Sequence, residues 1–258
     1  MTLALPKPQR LTVNTEFLIR IYAMSASQDT PAENTIQRVF VQYMTFKIDP
    51  SWRRLPKEVR DQGREELAQV IEKWASEVTT FAYSTVGLKV GAELMLWRQC
   101  ESPIQIQDMT SEILNTGMGT YLEITHSLFG FTRPSVYTRR HTPQEQAVFL
   151  SERQTYLVVY PFTKTTDWYL MSRDARQGMM NEHMRVGHEY ADIRQVLLYA
   201  TGLDDQEFIV AYETEDLPRF QALVIDLRNT EARRYTERDT PIFTAVHRPL
   251  REALGLMG

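Results

Sequence analysis

A single cysteine, Cys100, is all that the chain contains. One thiol excludes an internal disulfide framework and a multi-cysteine metal site within one chain, and it reads as packing. Positive charge is not in excess: 29 Lys and Arg stand against 33 Asp and Glu, a formal charge of −4. That balance offers no general attraction to phosphate backbones or anionic lipid, so nucleic acid is not an expected partner. No apolar run approaches the ~20 residues needed to cross a bilayer, and the opening MTLALPKPQR lacks the apolar stretch of a secretory signal. These absences predict a cytoplasmic protein with no membrane span. A Gly-rich phosphate loop and a Gly-x-Ser-x-Gly elbow are missing too, since Ser111, Ser127 and Ser135 lack that setting. Among the 5 histidines, His126, His141, His183, His188 and His247, no pair has a convincing chelate spacing, which disfavours a zinc enzyme.

What is present is a chain of 258 residues, 43% hydrophobic, long enough for one large core or two modest ones. Residues 1–33, rich in Pro, Thr, Ser and Asn, show no sustained period and read as an N-terminal arm. From about Val39 the pattern becomes regular. RVFVQYMTFKI alternates as a strand, and Pro56 opens a helix whose Leu67, Val70, Ile71 and Trp74 recur at i, i+3, i+4 and i+7. Strands over 78–86 and 92–98, a helix over 104–116 and the strand YLEITHSLF complete a βαββαβ unit spanning 34–131. After a connector, 132–153, the same order returns over 154–258: strand 154–163, helix 172–190, strands 193–201 and 206–213, helix 215–228 and a last strand near 241–247. The predicted fold is α+β, two tandem ferredoxin-like units whose antiparallel sheets pack together or enclose a ligand beneath their helices.

Within the second unit, YLVVYPFTK alternates so that Tyr156, Val158, Tyr160, Phe162 and Lys164 share one strand face. Two phenols and an ammonium on a face that should be packed mark an odd edge or a pocket wall. In MMNEHMRVGHEY the 3.6-residue period puts Met179, Met180, His183, Val186 and Tyr190 on one helix face. Such an inward histidine is either a hydrogen-bonded core residue or a ligand, and its methionines either packing or pocket lining. Glu213, Glu215 and Asp216 read as a strand end followed by a capped helix start.

A longer set of residues carries a resemblance. Tyr160-Pro161-Phe162-Thr163-Lys164, Trp168-Tyr169, Met180 to His183 with Gly187 and Tyr190, then Gly202 to Phe208, Arg228 with Thr230-Glu231, and Asp239-Thr240-Pro241 follow in order over about a hundred residues. This half resembles the chlorite dismutase-like haem protein superfamily, and within it the coproheme decarboxylases. The first half is similar more loosely, through LEITHSLFGFTRPSVYT and the repeated topology. The resemblance implies a haem pocket in the C-terminal unit, with His183 as the proximal iron ligand and Met180 beside it. It also implies Tyr160 as the redox-active phenol and Lys164 next to the reacting propionate. The implied reaction uses hydrogen peroxide to turn coproheme III into haem b, two propionates becoming vinyls. The implied assembly is a homopentamer, supplied with coproheme by a coproporphyrin ferrochelatase.

Gln195 stands seven residues before Gly202, where oxygen-evolving chlorite dismutases carry an arginine above the iron; an amide cannot replace that charge and fork. Trp168-Tyr169 resembles the decarboxylase form rather than the paired tryptophans of chlorite dismutases. Arg228 is implied as a propionate anchor, with Arg133 and Arg139 as weaker candidates. Glu213 stands where a chlorite dismutase carboxylate would accept from the proximal histidine, which points toward a haem b enzyme with chlorite or peroxidase activity as the alternative. A haem-binding protein without catalysis is the third reading, because a fold does not fix function.

Overall fold

The computed structural model describes residues 38–133, 137 and 152–258. The arm predicted over 1–33 and most of the connector, with Ser135, Arg139 and His141, lie outside the described residues.

The first unit runs β1 (Phe40–Ile48), α1 (Lys57–Lys73), β2 (Thr79–Ser84), β3 (Leu94–Cys100), α2 (Pro103–Leu114) and β4 (Leu122–Phe131). The second runs β5 (Tyr156–Lys164), a short α3 (Thr166–Leu170), α4 (Arg173–His188), β6 (Arg194–Tyr199), β7 (Phe208–Thr214), α5 (Leu217–Arg228), β8 (Thr236–Arg238), β9 (Phe243–His247) and α6 (Leu250–Gly255). The long elements lie where the periodicity puts them, because side-chain signals mark their ends. Ser102 and Gln105 form a reciprocal capping box on α2, and the Ala175 N–H donates to the Ser172 hydroxyl at the start of α4. Asp216 accepts from the Arg219 N–H at 3.1 Å and starts α5, which accounts for one member of the acidic cluster.

Each unit keeps the split-βαβ strand order, β4-β1-β3-β2 in the first and β6-β7-β5-β9 in the second, with antiparallel pairing throughout. The two sheets do more than pack. Phe131 pairs with Tyr199 across β4 and β6, while Tyr83 and Ser84 pair with His247 and Val246 across β2 and β9. All strands but β8 thereby close into a ring, which removes the open edges that two separate sheets would expose.

Strand alternation then sorts every side chain to one of two sides. Inside the ring, Tyr43, Phe81, Tyr83, Met95 and Trp97 of the first unit meet Leu157, Val159, Val196, Leu198, Ile209, Ala211, Phe243 and Ala245 of the second. Outside, the two units differ. Over the first sheet α1, α2 and α6 bury Leu67, Ala68, Ile71, Ile106, Met109, Ile113 and Leu254, each large aliphatic contributing about 1.5–3 kcal/mol of transfer free energy. Over the second sheet the cluster is small: Tyr190, Ile193, Val210, Tyr212 and Leu223. Helix α4, although amphipathic, has no fully buried side chain. Its inward face is half covered by protein, and that asymmetry locates the candidate site.

Candidate functional site

On the outer side of the second sheet, helix α4 packs beside α5 and the 3-10 turn Glu231–Tyr235, and Tyr190 just past its end joins Val210 and Tyr212. The register puts Tyr160 opposite Val210, Phe162 opposite Phe208 and Gln195 opposite Tyr212, so all six point to the helix side. Phe162 stacks on Phe208 with ring centroids 4.9 Å apart, and Tyr199 meets Phe208 edge-on at 5.6 Å. Arg133 at the start of the connector lies over Tyr199 at 5.5 Å.

His183 is half-buried on the inward side of α4, and its Nδ1 has no hydrogen-bond partner. Burial, then the charge of Lys164, pushes its pKa down to about 4, so the imidazole is neutral at pH 7. A neutral imidazole keeps a lone pair on one ring nitrogen, the form in which histidine ligates metals. Among the described residues no group of three or more His, Cys, Asp or Glu could hold a metal ion. A lone neutral imidazole on the half-covered face of Met179, Met180, His183 and Met184 fits a metal carried within a flat apolar macrocycle, such as porphyrin iron.

Lys164 sits after an irregularity in the β5–β8 register, with its backbone N–H donating to Glu207 at 2.7 Å. Its ammonium donates to Thr236 Oγ1 at 3.2 Å and to the Ala232 carbonyl at 3.4 Å, and lies over the Trp168 ring at 4.6 Å. Burial first, then Arg233, lowers its pKa to about 8. Trp168 is buried in α3 against Tyr235, whereas its neighbour Tyr169 is exposed, with its phenol raised by burial and by a hydrogen bond to Glu207.

Tyr160 is half-buried and stacks on Tyr212 with ring centroids 6.2 Å apart; burial raises its pKa, and the neighbouring Tyr212 phenol acts in the opposite direction. The charges near it are Asp239, Arg228 and Arg233; Asp239 binds Arg233 at 2.8 Å and Arg228 at 3.3 Å. Tyr160, Lys164, Trp168, Met180, His183, Gln195 and Arg228 thus belong to one side of the second sheet.

Glu213 does not. It is next to Tyr212 on β7, so its side chain passes to the other face and into the ring. There it is 3% exposed, accepts from the Tyr83 hydroxyl and the Gln154 N–H at 3.3 Å, and pairs with Arg153 at 3.2 Å. The expected contact with His183 is corrected by strand parity: one residue separates the two faces. Arg153, its side chain fully buried, lies over Phe81 and Trp97 at 4.5 and 4.7 Å. Removing one partner of a buried ion pair leaves the other charge uncompensated. Glu213→Ala is expected to cost about 3–5 kcal/mol in urea unfolding while leaving the absorption spectrum of bound porphyrin unchanged.

Sequence reasoning missed Tyr212 and Arg233, and quoted Asp239 only as part of the resemblance, without a place in the site. Tyr212 was legible, since FIVAYET alternates on the parity of Tyr160's partner strand. Arg233 and Asp239 reach the site through the 3-10 turn Glu231–Tyr235 and the strand after it, which carry no periodic signal.

No helix among the described residues is long and apolar enough to cross a membrane. A family model described as chlorite dismutase matches residues 60–248. The coproheme decarboxylase of Mycolicibacterium smegmatis is 33% identical over 165 residues, 63% of this chain and 70% of that protein. The chlorite dismutase of Ideonella dechloratans is 25% identical over 220 residues, 83% of this chain and 77% of that protein. Among solved structures, the chlorite dismutase of Candidatus Nitrospira defluvii in complex with imidazole superposes with a TM-score of 0.78 at 27% identity, covering 85% of this chain and 94% of its own. Fold, matched span and relatives agree: the chain belongs to the chlorite dismutase family.

Proposed function

We propose that this protein binds coproheme III between α4 and the face of β5–β7–β6 and, with hydrogen peroxide, converts two of its propionates to vinyl groups, yielding haem b. The observation that carries this reading is the neutral, unpartnered imidazole of His183 on a half-covered helix, with the Tyr160 phenol on the sheet face it overlies. The relative named coproheme decarboxylase supports it.

The porphyrin iron would supply the redox chemistry, taking two oxidising equivalents from each peroxide. His183 would hold the iron from the helix side, and Met180 would keep that side dry. Tyr160 would give up its phenolic hydrogen and then take a hydrogen from the propionate β-carbon. Loss of carbon dioxide and one further electron leaves the vinyl group and restores the phenol. Each round consumes one propionic acid group and one peroxide, and gives one vinyl, one carbon dioxide and two waters. Lys164, Arg228 and Arg233 would place positive charge around the propionate carboxylates, with Trp168 backing the lysine. A pentamer and a ferrochelatase donor belong to the same proposal, on the resemblance alone.

Chlorite chemistry is disfavoured on two counts. Gln195, half-buried opposite Tyr212, carries no permanent charge to hold an oxyanion. Glu213, the feature that favoured a chlorite or peroxidase enzyme, faces away from His183. Purified protein offered coproheme with peroxide, and separately haem b with chlorite, tests the choice. Conversion of the porphyrin with no sustained oxygen release is expected; oxygen release over many turnovers with unchanged coproheme would overturn the reading.

A further inference from the structure

The charged edge of the site is built on one short segment, the 3-10 turn Glu231–Tyr235 and β8, a strand paired only with β5. This segment supplies the Ala232 carbonyl and the Thr236 hydroxyl that hold the Lys164 ammonium. The Tyr235 carbonyl accepts from the Thr165 N–H at 3.0 Å, and the Tyr235 ring lies 6.0 Å from Trp168. On α4, the carboxylate of Glu182, beside His183, accepts from the Glu231 N–H at 3.1 Å. The platform that carries Arg233 is therefore tied both to the helix of His183 and to the strand of Lys164.

Asp239, the first residue past β8, joins two arginines from different elements. Its Oδ2 accepts from Arg233 Nη1 at 2.8 Å and from Arg228 Nη2, at the end of α5, at 3.3 Å. The arginine side chains are 35% and 50% exposed, but that of Asp239 only 19%. The carboxylate is thus the fixed member, and the two long side chains would spread over many rotamers without it. Among the described residues no other carboxylate pairs with either arginine. A guanidinium has five N–H donors in a planar fork, so each keeps donors for a second carboxylate.

We propose that Asp239 is a positioning residue that holds Arg228 and Arg233 side by side as a single receptor for a propionate carboxylate. The proposal rests on the reading of this edge as the place where the porphyrin carboxylates lie. A propionate completes the cluster by taking the remaining donors of both forks, so two arginines alternate with two anions. Charge alone argues the opposite way, since Asp239 is itself an anion beside an anionic ligand. Coulomb repulsion between half-exposed charges is weakened by water and salt, whereas the cost of ordering two arginines at the moment of binding is not. Pre-organisation therefore outweighs repulsion, and removing this negative charge weakens the binding of an anion.

The test uses iron-free coproporphyrin III, whose fluorescence reports binding without iron ligation, added to ligand-free protein at fixed salt. Asp239→Ala is expected to bind it about tenfold more weakly than the parent. In protein already carrying Arg228→Ala and Arg233→Ala, the same substitution should change affinity by less than about twofold, because no arginine is left to orient. Unchanged or tighter binding by Asp239→Ala would overturn the proposal, and so would an equal loss in both backgrounds. Should Asp239→Ala fail to fold, Asp239→Asn keeps the shape and drops the charge: binding weakened about threefold or more is expected, and unchanged or tighter binding overturns the proposal. The variant lacking both arginines separates the two ideas. Parent-like binding by it removes the reading beneath and this inference together, whereas weak binding by it beside a parent-like Asp239→Ala removes this inference alone.

Discussion

Tyr160→Phe is expected to bind coproheme like the parent and to lose decarboxylation by about 1,000-fold or more, equivalent to about 4 kcal/mol on the barrier. The change deletes one oxygen and leaves the ring, so the stacking on Tyr212 at 6.2 Å and the β5–β7 register remain. What disappears is the O–H whose hydrogen the proposed reaction moves, and the adjacent Phe162 and Phe208 carry no such group. Stopped-flow absorbance with peroxide, followed by product analysis, separates binding from turnover. Retained turnover would take Tyr160 out of the mechanism.

His183→Ala should act at the opposite wall, and with an unusual sign pattern. Coproheme affinity is expected to fall by about 100-fold or more, roughly 2.7 kcal/mol, with loss of the imidazole-ligated absorption spectrum, and added imidazole should restore that spectrum by ligating in trans. Ligand-free protein should nevertheless unfold within about 1 kcal/mol of the parent. An ordinary buried histidine earns its place through hydrogen bonds, and truncating it costs stability; His183 has an unpartnered Nδ1, whose burial is itself a penalty of about 1–3 kcal/mol. A residue that weakens the empty fold yet is indispensable once ligand is bound behaves as a ligand. Loss of stability in His183→Ala without loss of coproheme affinity would assign it to the core instead.

The architecture was legible where burial has a period. RVFVQYMTFKI and YLVVYPFTK alternate, and the Leu67 and Leu223 helices carry their stripes, because each element buries one face against a large neighbour. The closed ring was not legible. It depends on a single pair between Phe131 and Tyr199 and on two between β2 and β9, contacts that leave no mark on local hydrophobicity. Helix α6 escaped for a related reason. Its six residues are too few to show a period, yet Leu250, Ala253 and Leu254 are buried in the first unit's core, and the Trp52 indole donates to the Gly258 carbonyl at 2.6 Å.

For the site, periodicity predicted that His183 points inward, and parity predicted that Tyr160 and Phe162 share a face. The same parity rule, applied to Glu213, would have placed it away from Tyr212 and so away from α4; the resemblance overrode it there and the structure restores it. Arg233 meets Asp239, and through it Arg228, by way of a non-repeating turn, so no period announced that arginine, and Asp239 entered only through the resemblance.

The central claim is that the tetrapyrrole held under α4 is substrate as well as cofactor. Its most direct test is the mass of the bound porphyrin while coproheme-loaded protein is titrated with hydrogen peroxide in the absence of any other reductant or oxidant. The account predicts a tri-propionate species after about one equivalent and haem b after about two, each step losing one carbon dioxide and two hydrogens. A porphyrin that keeps all four propionates, or is bleached without passing through the tri-propionate form, would contradict it.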